Sequence, residues 1–161
     1  MKTKNLHLNK KGGTLIMSYE ILDELFAKIG QATGLKDVAY HEIKEGRLNP
    51  IYKTSTNTLS IESWKKGHYD NPVFIKDTWV LKHIVDTKEY VDISNTKEDS
   101  RSSEAFFFFG VDSNLIIPVV KEDNVIGIVC TVSINEIHYF TKEEINQCVK
   151  LVDEYKETIG V

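Results

Sequence analysis

The chain has 161 residues, enough for one domain with a real core, and its apolar (41%) and charged (27%) fractions are ordinary for a globular protein. A net charge of −4 with no long basic run argues against nucleic acid as a partner, and no stretch approaches the roughly 20 apolar residues of a membrane span. The only cysteines, Cys130 and Cys148, lie inside apolar runs with no Cys-x-x-Cys spacing or histidine pairing, which predicts a reduced, cytoplasmic protein without structural zinc.

The first sixteen residues, MKTKNLHLNKKGGTLI, are basic and polar and form neither a signal-peptide core nor an amphipathic helix. KKGGT, followed three residues later by Met17, is what a purine-rich ribosome-binding sequence yields when read as codons. The expectation is a bacterial gene whose true start is Met17, with residues 1–16 disordered and without function and 17–161 forming a single domain.

From Ser18, a candidate N-cap, Ile21, Leu22, Leu25, Phe26 and Ile29 repeat at helix spacing up to a stop at Gly34. DVAYHEI, 37–43, reads as a strand and Glu45-Gly46 as a turn. LNPIYKTST, 48–56, is a second strand weakened at its start by Pro50, and TLSIESW, 58–64, a third. Helix spacing returns in 76–88 through Val80, Leu81, Ile84 and Val85, with Asp77 or Thr78 as cap, and EYVDIS, 89–94, is a short strand. NTKEDSRSSE, 95–104, has no apolar residue and reads as an exposed, mobile loop.

That loop feeds four consecutive phenylalanines, Phe106 to Phe109. On a helix four side chains sweep about 300°, and on a strand they split between two faces, so one core surface does not absorb them all. NLIIPVV and VIGIVCTVSI follow, joined by KEDN, and their near-continuous apolar character predicts a hairpin buried on both faces. Thr141 and Glu144 form a capping box, Phe140 and Ile145 a hydrophobic staple, and Ile145, Cys148, Val149, Val152, Tyr155 and Ile159 one apolar stripe. Strands gathered between terminal helices predict an α+β domain with a central antiparallel sheet of five or six strands.

The order of elements over about residues 18–159 resembles the GAF domains. SNLIIPVVKEDNVIGIVCTVS resembles the family's paired strands, WVLKHIVDTKEYVDISN its helix leading into a short strand and polar turn, and YFTKEEINQCVKLV its closing helix. The resemblance implies a sheet covered on one face by the terminal helices and on the other by a small-molecule pocket. That pocket would be roofed by the middle helix and the phenylalanine segment, with Phe106 and Phe109 sharing a face if the segment is helical. It also places Gly127 towards the terminal helices, which leaves Ile128, Cys130 and Val132 facing the pocket with Asn114 and Ile116 alongside. Trp79 and His83 on the middle helix and Tyr40 on the first strand join the candidate ligand contacts. Each of the three also has an ordinary reading, in the core for Trp79 and Tyr40 and on the surface for His83.

The resemblance also bears on chemistry. The family's free methionine-(R)-sulfoxide reductases need a low-pKa cysteine, a resolving cysteine and pocket carboxylates. Here the roof segment has no cysteine, and apolar or thiol residues stand at the expected carboxylate positions, so an enzyme of that kind is the remote alternative. Cys148 reads as core, and Cys130 as inert burial or a redox or ligand contact. Asn135-Glu136, Phe140 and Glu143-Glu144 depart from the cyclic-nucleotide motif, and the roof lacks a cysteine for linear-tetrapyrrole attachment. The five histidines show no metal-ligand spacing. Trp64 reads as core or cavity wall, and Arg101 as solvated or as a contact for an anionic ligand. The function implied is a non-enzymatic, stand-alone sensor. It would bind a small organic ligand whose identity stays open, and signal through a homodimer formed by the terminal helices or through a signalling protein. The alternative is a ligand-free interaction or dimerisation module.

Overall fold

A hairpin apolar on both faces needs two covers, and the chain supplies both. The computed structural model describes residues 8–11, 14–17 and 19–159. β1 (Leu8–Lys11) and β2 (Thr14–Met17) pair antiparallel with each other in a separate two-stranded sheet. The rest of the segment expected to be disordered, residues 1–7, 12 and 13, lies outside the described residues, as does the candidate cap Ser18. The first helix, α1 (Glu20–Thr33), has Tyr19 at its N-cap position and closes on Gly34.

The main strands are β3 (Asp37–Lys44), β4 (Arg47–Lys53), β5 (Val91–Ile93), β6 (Val111–Lys121) and β7 (Asn124–Ile134). They form one antiparallel sheet of five strands in the order β4-β3-β7-β6-β5. Pro50 lies opposite His41, beside the β3–β4 register shift that falls between Tyr40 (opposite Tyr52) and His41, which reconciles a proline with a ladder. This is the α+β architecture that the clustering of strands between helices predicts.

α1 and the last helix, α5 (Lys142–Tyr155), cover one face. Leu25, Phe26 and Ile29 meet Cys148, Val152 and Ile159 there, over Val38, Tyr40, Leu115, Ile117 and Val129 from the sheet. The capping box at Thr141 and Glu144 is formed, and the staple pair Phe140 and Ile145 is buried in the same core.

The other face is covered by α2 (Ile61–Asp70), α3 (Trp79–Thr87) and α4 (Glu104–Phe108). α2 corrects the strand expected at 58–64. Ser60 caps it, its Oγ accepting from Ser63 N at 3.1 Å, and its buried face is Trp64, Gly67 and His68. Neither Gly67 nor His68 counts as apolar, so the helical period is invisible in the residue pattern. The stretch 95–104 is also more tied than expected. Thr96 is buried and donates through Oγ1 to Val111 O at 2.8 Å. Arg101 donates to Asp92 O of β5 at 2.9 Å and to Asp99 at 2.7 Å, which ties the loop to the edge strand.

Candidate functional site

Alternation along β3 divides its side chains between the two layers. Val38 and Tyr40 enter the core under α1 and α5, whereas Asp37, Ala39 and His41 face α2, α3 and α4. The same parity brings Asn114 and Ile116 of β6 and Ile128, Cys130 and Val132 of β7 to that second face. Trp64 and His68 of α2, Val80 and Leu81 of α3, and Phe106 and Phe109 at α4 close over it. Between them lies a chamber of about 80 Å³, room for a few waters or a ligand of few atoms.

The four phenylalanines divide as helical geometry requires. Phe106 and Phe109 line the chamber, while Phe107 and Phe108 point outward, 50% and 57% exposed. α4 can approach α2 this closely because residue 67 is glycine: a Cβ there would lie 2.7 Å from the Phe109 ring. The Phe109 ring stacks on His68 at 4.8 Å, and Trp64 meets both His68 and His41 edge-on.

His41 and His68 touch each other through Nε2 at 3.1 Å, both buried. Burial, and then the neighbouring His68, holds His41 well below the usual histidine range; burial and then the Arg47 charge bring His68 down to about 4. Both rings are therefore neutral at pH 7. One Nε2–H donates to the other Nε2, which forces opposite tautomers on the pair. Neither Nδ1 has a partner, and Asn114 Oδ1 is likewise unpaired. Sequence reasoning missed this pair, since 27 residues separate its members; two histidines on separate elements carry no spacing signal.

At one end of the chamber Lys53 and Asp37 form a buried ion pair at 3.1 Å. Lys53 Nζ also donates to Thr54 O at 2.7 Å and Leu59 O at 2.6 Å, while Asp37 accepts from Thr56 Oγ1 at 2.5 Å and Thr58 Oγ1 at 2.7 Å. The pair closes the β4–α2 loop.

Three expected contacts lie elsewhere. Tyr40 is on the opposite face of the sheet, because it differs in parity from His41; Gly127 leaves room for its ring, where a Cβ would lie 2.6 Å away. Trp79 and His83 stack on each other at 4.9 Å outside the chamber, with Trp79 50% exposed. The inward stripe of α3 is Val80, Leu81 and Ile84, so its neighbours one residue off in register point away. Phe106, Phe109, Asn114, Ile116, Ile128, Cys130 and Val132 are brought together around one space. Burial pushes the Cys130 thiol up to about 12 and, with Glu144 adding to it, Cys148 up to about 11, so neither is a thiolate at pH 7.

The family model of the GAF domain matches residues 19–153. The chain belongs to the GAF domain family. GAF domains are a family of sensory and regulatory domains. Similar solved structures include the GAF domain/HD domain protein from Geobacter sulfurreducens, with a TM-score of 0.72 at 14% identity, covering 87% of this chain and 90% of that one. The blue-light absorbing form of the Thermosynechococcus elongatus PixJ GAF-domain aligns with a TM-score of 0.66 at 13% identity, over 83% of this chain and 79% of that one. The type II free methionine-R-sulfoxide reductase from Thermoplasma acidophilum aligns with a TM-score of 0.63 at 14% identity, over 85% and 88%. At these identities the likeness is one of fold. A comparison with curated proteins gave no match. Among the described residues no group of three or more His, Cys, Asp or Glu forms a metal site, and no helix of this GAF domain is long and apolar enough to cross a membrane.

Proposed function

We propose that this GAF domain is a cytoplasmic, non-enzymatic sensor that holds a small organic molecule in the chamber between the sheet and α2, α3 and α4. One observation carries the reading. The chamber's lining is mostly apolar, yet it includes three residues, His41, His68 and Asn114, each with a buried polar atom lacking a partner. Such atoms are costly to leave unpaired, and a bound molecule would offset that cost. Against an enzyme of the thiol type stand the two buried, protonated cysteines.

Ligand binding would act as a population shift, favouring whichever packing of α4 binds the molecule better. The signal would pass to a partner protein or to a second copy through α1 and α5. The outward positions of those helices include Glu20, Asp23, Gln31, Asn146, Lys150 and Asp153, so a dimer there would join polar faces rather than bury an apolar one. The second reading, a ligand-free interaction module, is favoured by the exposed rings of Tyr69 (80%), Trp79 (50%), Phe107 (50%) and Phe108 (57%).

The two readings separate in native and denaturing mass spectra of protein taken from its own host. A reproducible mass excess that vanishes on denaturation supports the sensor. An unliganded protein that loses a protein partner on Phe108→Ala would replace it with the module.

A further inference from the structure

Resting on the ligand-binding reading of the chamber, we infer that it selects an uncharged, compact and flat molecule carrying one hydrogen-bond donor and one acceptor, recognised by the His41–His68 pair. The first ground is charge. Asp37 and Lys53 are the only charged residues among the described walls, and each already satisfies the other. The three ammonium protons of Lys53 are matched by Asp37 Oδ1, Thr54 O and Leu59 O, and both Asp37 oxygens accept from hydroxyls or from Lys53. An ionic ligand would give up its hydration and find no free counter-charge.

The second ground is the complementarity of the imidazoles. Their mutual hydrogen bond presents one N–H and one lone pair, so a molecule that inserts between the two Nε2 atoms, or meets the two unpaired Nδ1 atoms, is offered a donor and an acceptor at once. A molecule with only one of the two leaves a buried group unpaired. The same pair is a poor metal site. It supplies two ligands with no third among the described residues, and neither Nδ1 has the acceptor that orients a metal-bound histidine.

Shape is the third ground. Trp64 and Phe109 set flat rings beside the pair. The space of about 80 Å³ is roughly half of a cavity known to hold benzene. A ring of about five non-hydrogen atoms is therefore the natural size, with larger molecules requiring Phe109 to move.

The test uses the full chain and four probes: pyrazole, which is neutral with adjacent N–H and N; furan, a ring of equal size without a donor; acetate; and methylammonium. Ring ¹⁵N signals of His41 and His68 and the indole signal of Trp64 are followed by NMR. Pyrazole is expected to shift them saturably and at least ~10-fold more tightly than furan, with no saturation by acetate or methylammonium. His68→Phe should bring pyrazole down to the affinity of furan. Furan binding as tightly as pyrazole, a charged probe saturating the same signals, or no response to any probe overturns the inference. If His68→Phe does not fold, the ranking of probes on the unaltered chain decides alone. A charged ligand carried from the host would overturn the selectivity while sparing the sensor reading; that reading falls separately, by the mass-spectrometric outcome stated for it.

Discussion

Gly67 and His68 are neighbours in sequence that meet the same ring, one by its absence of a side chain and the other by stacking. A methyl group at residue 67 would stand 2.7 Å from Phe109 and 3.0 Å from Phe108. Ala improves a helix interior by up to ~1 kcal/mol over Gly, but overpacking costs about 1–3 kcal/mol, so the clash should win. Gly67→Ala is expected to lower stability in urea unfolding and to displace Phe109, seen as a shift of its ring signals. The histidine pair makes a prediction of opposite character. Both rings have folded-state pKa values below the unfolded value near 6.5, so the unfolded chain takes up protons first as the pH falls. Their contribution is fully present above about pH 6.5 and is lost as acidification proceeds towards about pH 4 for His68, on the order of 3 kcal/mol for that residue. Urea midpoints measured between pH 7.5 and 4.5 should fall, and His68→Phe should flatten the decline; a flat profile for the unaltered chain would contradict the burial of neutral imidazoles.

At the scale of elements, the short helix α4 performs two tasks with consecutive residues. Its cap is Ser103, whose Oγ accepts from Ala105 N at 3.2 Å, and the helical turn it starts sends Phe106 and Phe109 inward. Phe106→Ala and Phe109→Ala should each weaken ligand retention more than they weaken folding, because both rings are only half-buried and edge a space rather than fill the main core. Phe107→Ala should leave stability within about 0.5 kcal/mol, as for other exposed positions. Comparing ligand retention with urea unfolding for the three variants checks both statements. In α5 the capping box carries a more ordinary effect: Thr141→Ala is expected to cost ~1 kcal/mol by unpairing Glu144 N.

At the scale of the whole molecule, the five-stranded sheet lies between two unlike layers. Under α1 and α5 the core is continuous, whereas under α2, α3 and α4 it encloses the chamber. The Lys53–Asp37 pair ties the loop between β4 and α2 across the end of that chamber, to a partner 16 residues away. Breaking such a pair from one side leaves a buried charge uncompensated, so Lys53→Met should destabilise by about 3–5 kcal/mol. The same substitution should loosen the docking of α2, read as faster amide exchange through Ile61–Asp70. A stabilised or unchanged variant would show that Thr56 and Thr58 suffice to hold Asp37.

The sequence by itself determined most of the order of elements, though not α2, together with the two-faced hairpin, the terminal helix with its cap, and the alternation that sets Ile128, Cys130 and Val132 on one face of their strand; the resemblance to the GAF family implied which face that was and set Asn114 and Ile116 beside it. The features read from the residues are local: they depend on periodicities of two and 3.6 residues and on short-range capping chemistry. The parity of β3 was equally local, but assigning its two faces needed to know which neighbour covered each, and Tyr40 fell on the wrong side of that choice. α2 was unreadable because its buried face is a tryptophan, a glycine and a histidine, residues whose inward position only the partner ring of Phe109 and the partner imidazole of His41 explain. Tertiary structure alone decided that Trp79 and His83 lie outside, that Lys53 finds Asp37, and that His41 finds His68. Each outcome depends on contacts between elements distant along the chain, and such contacts leave no period in the sequence that specifies them.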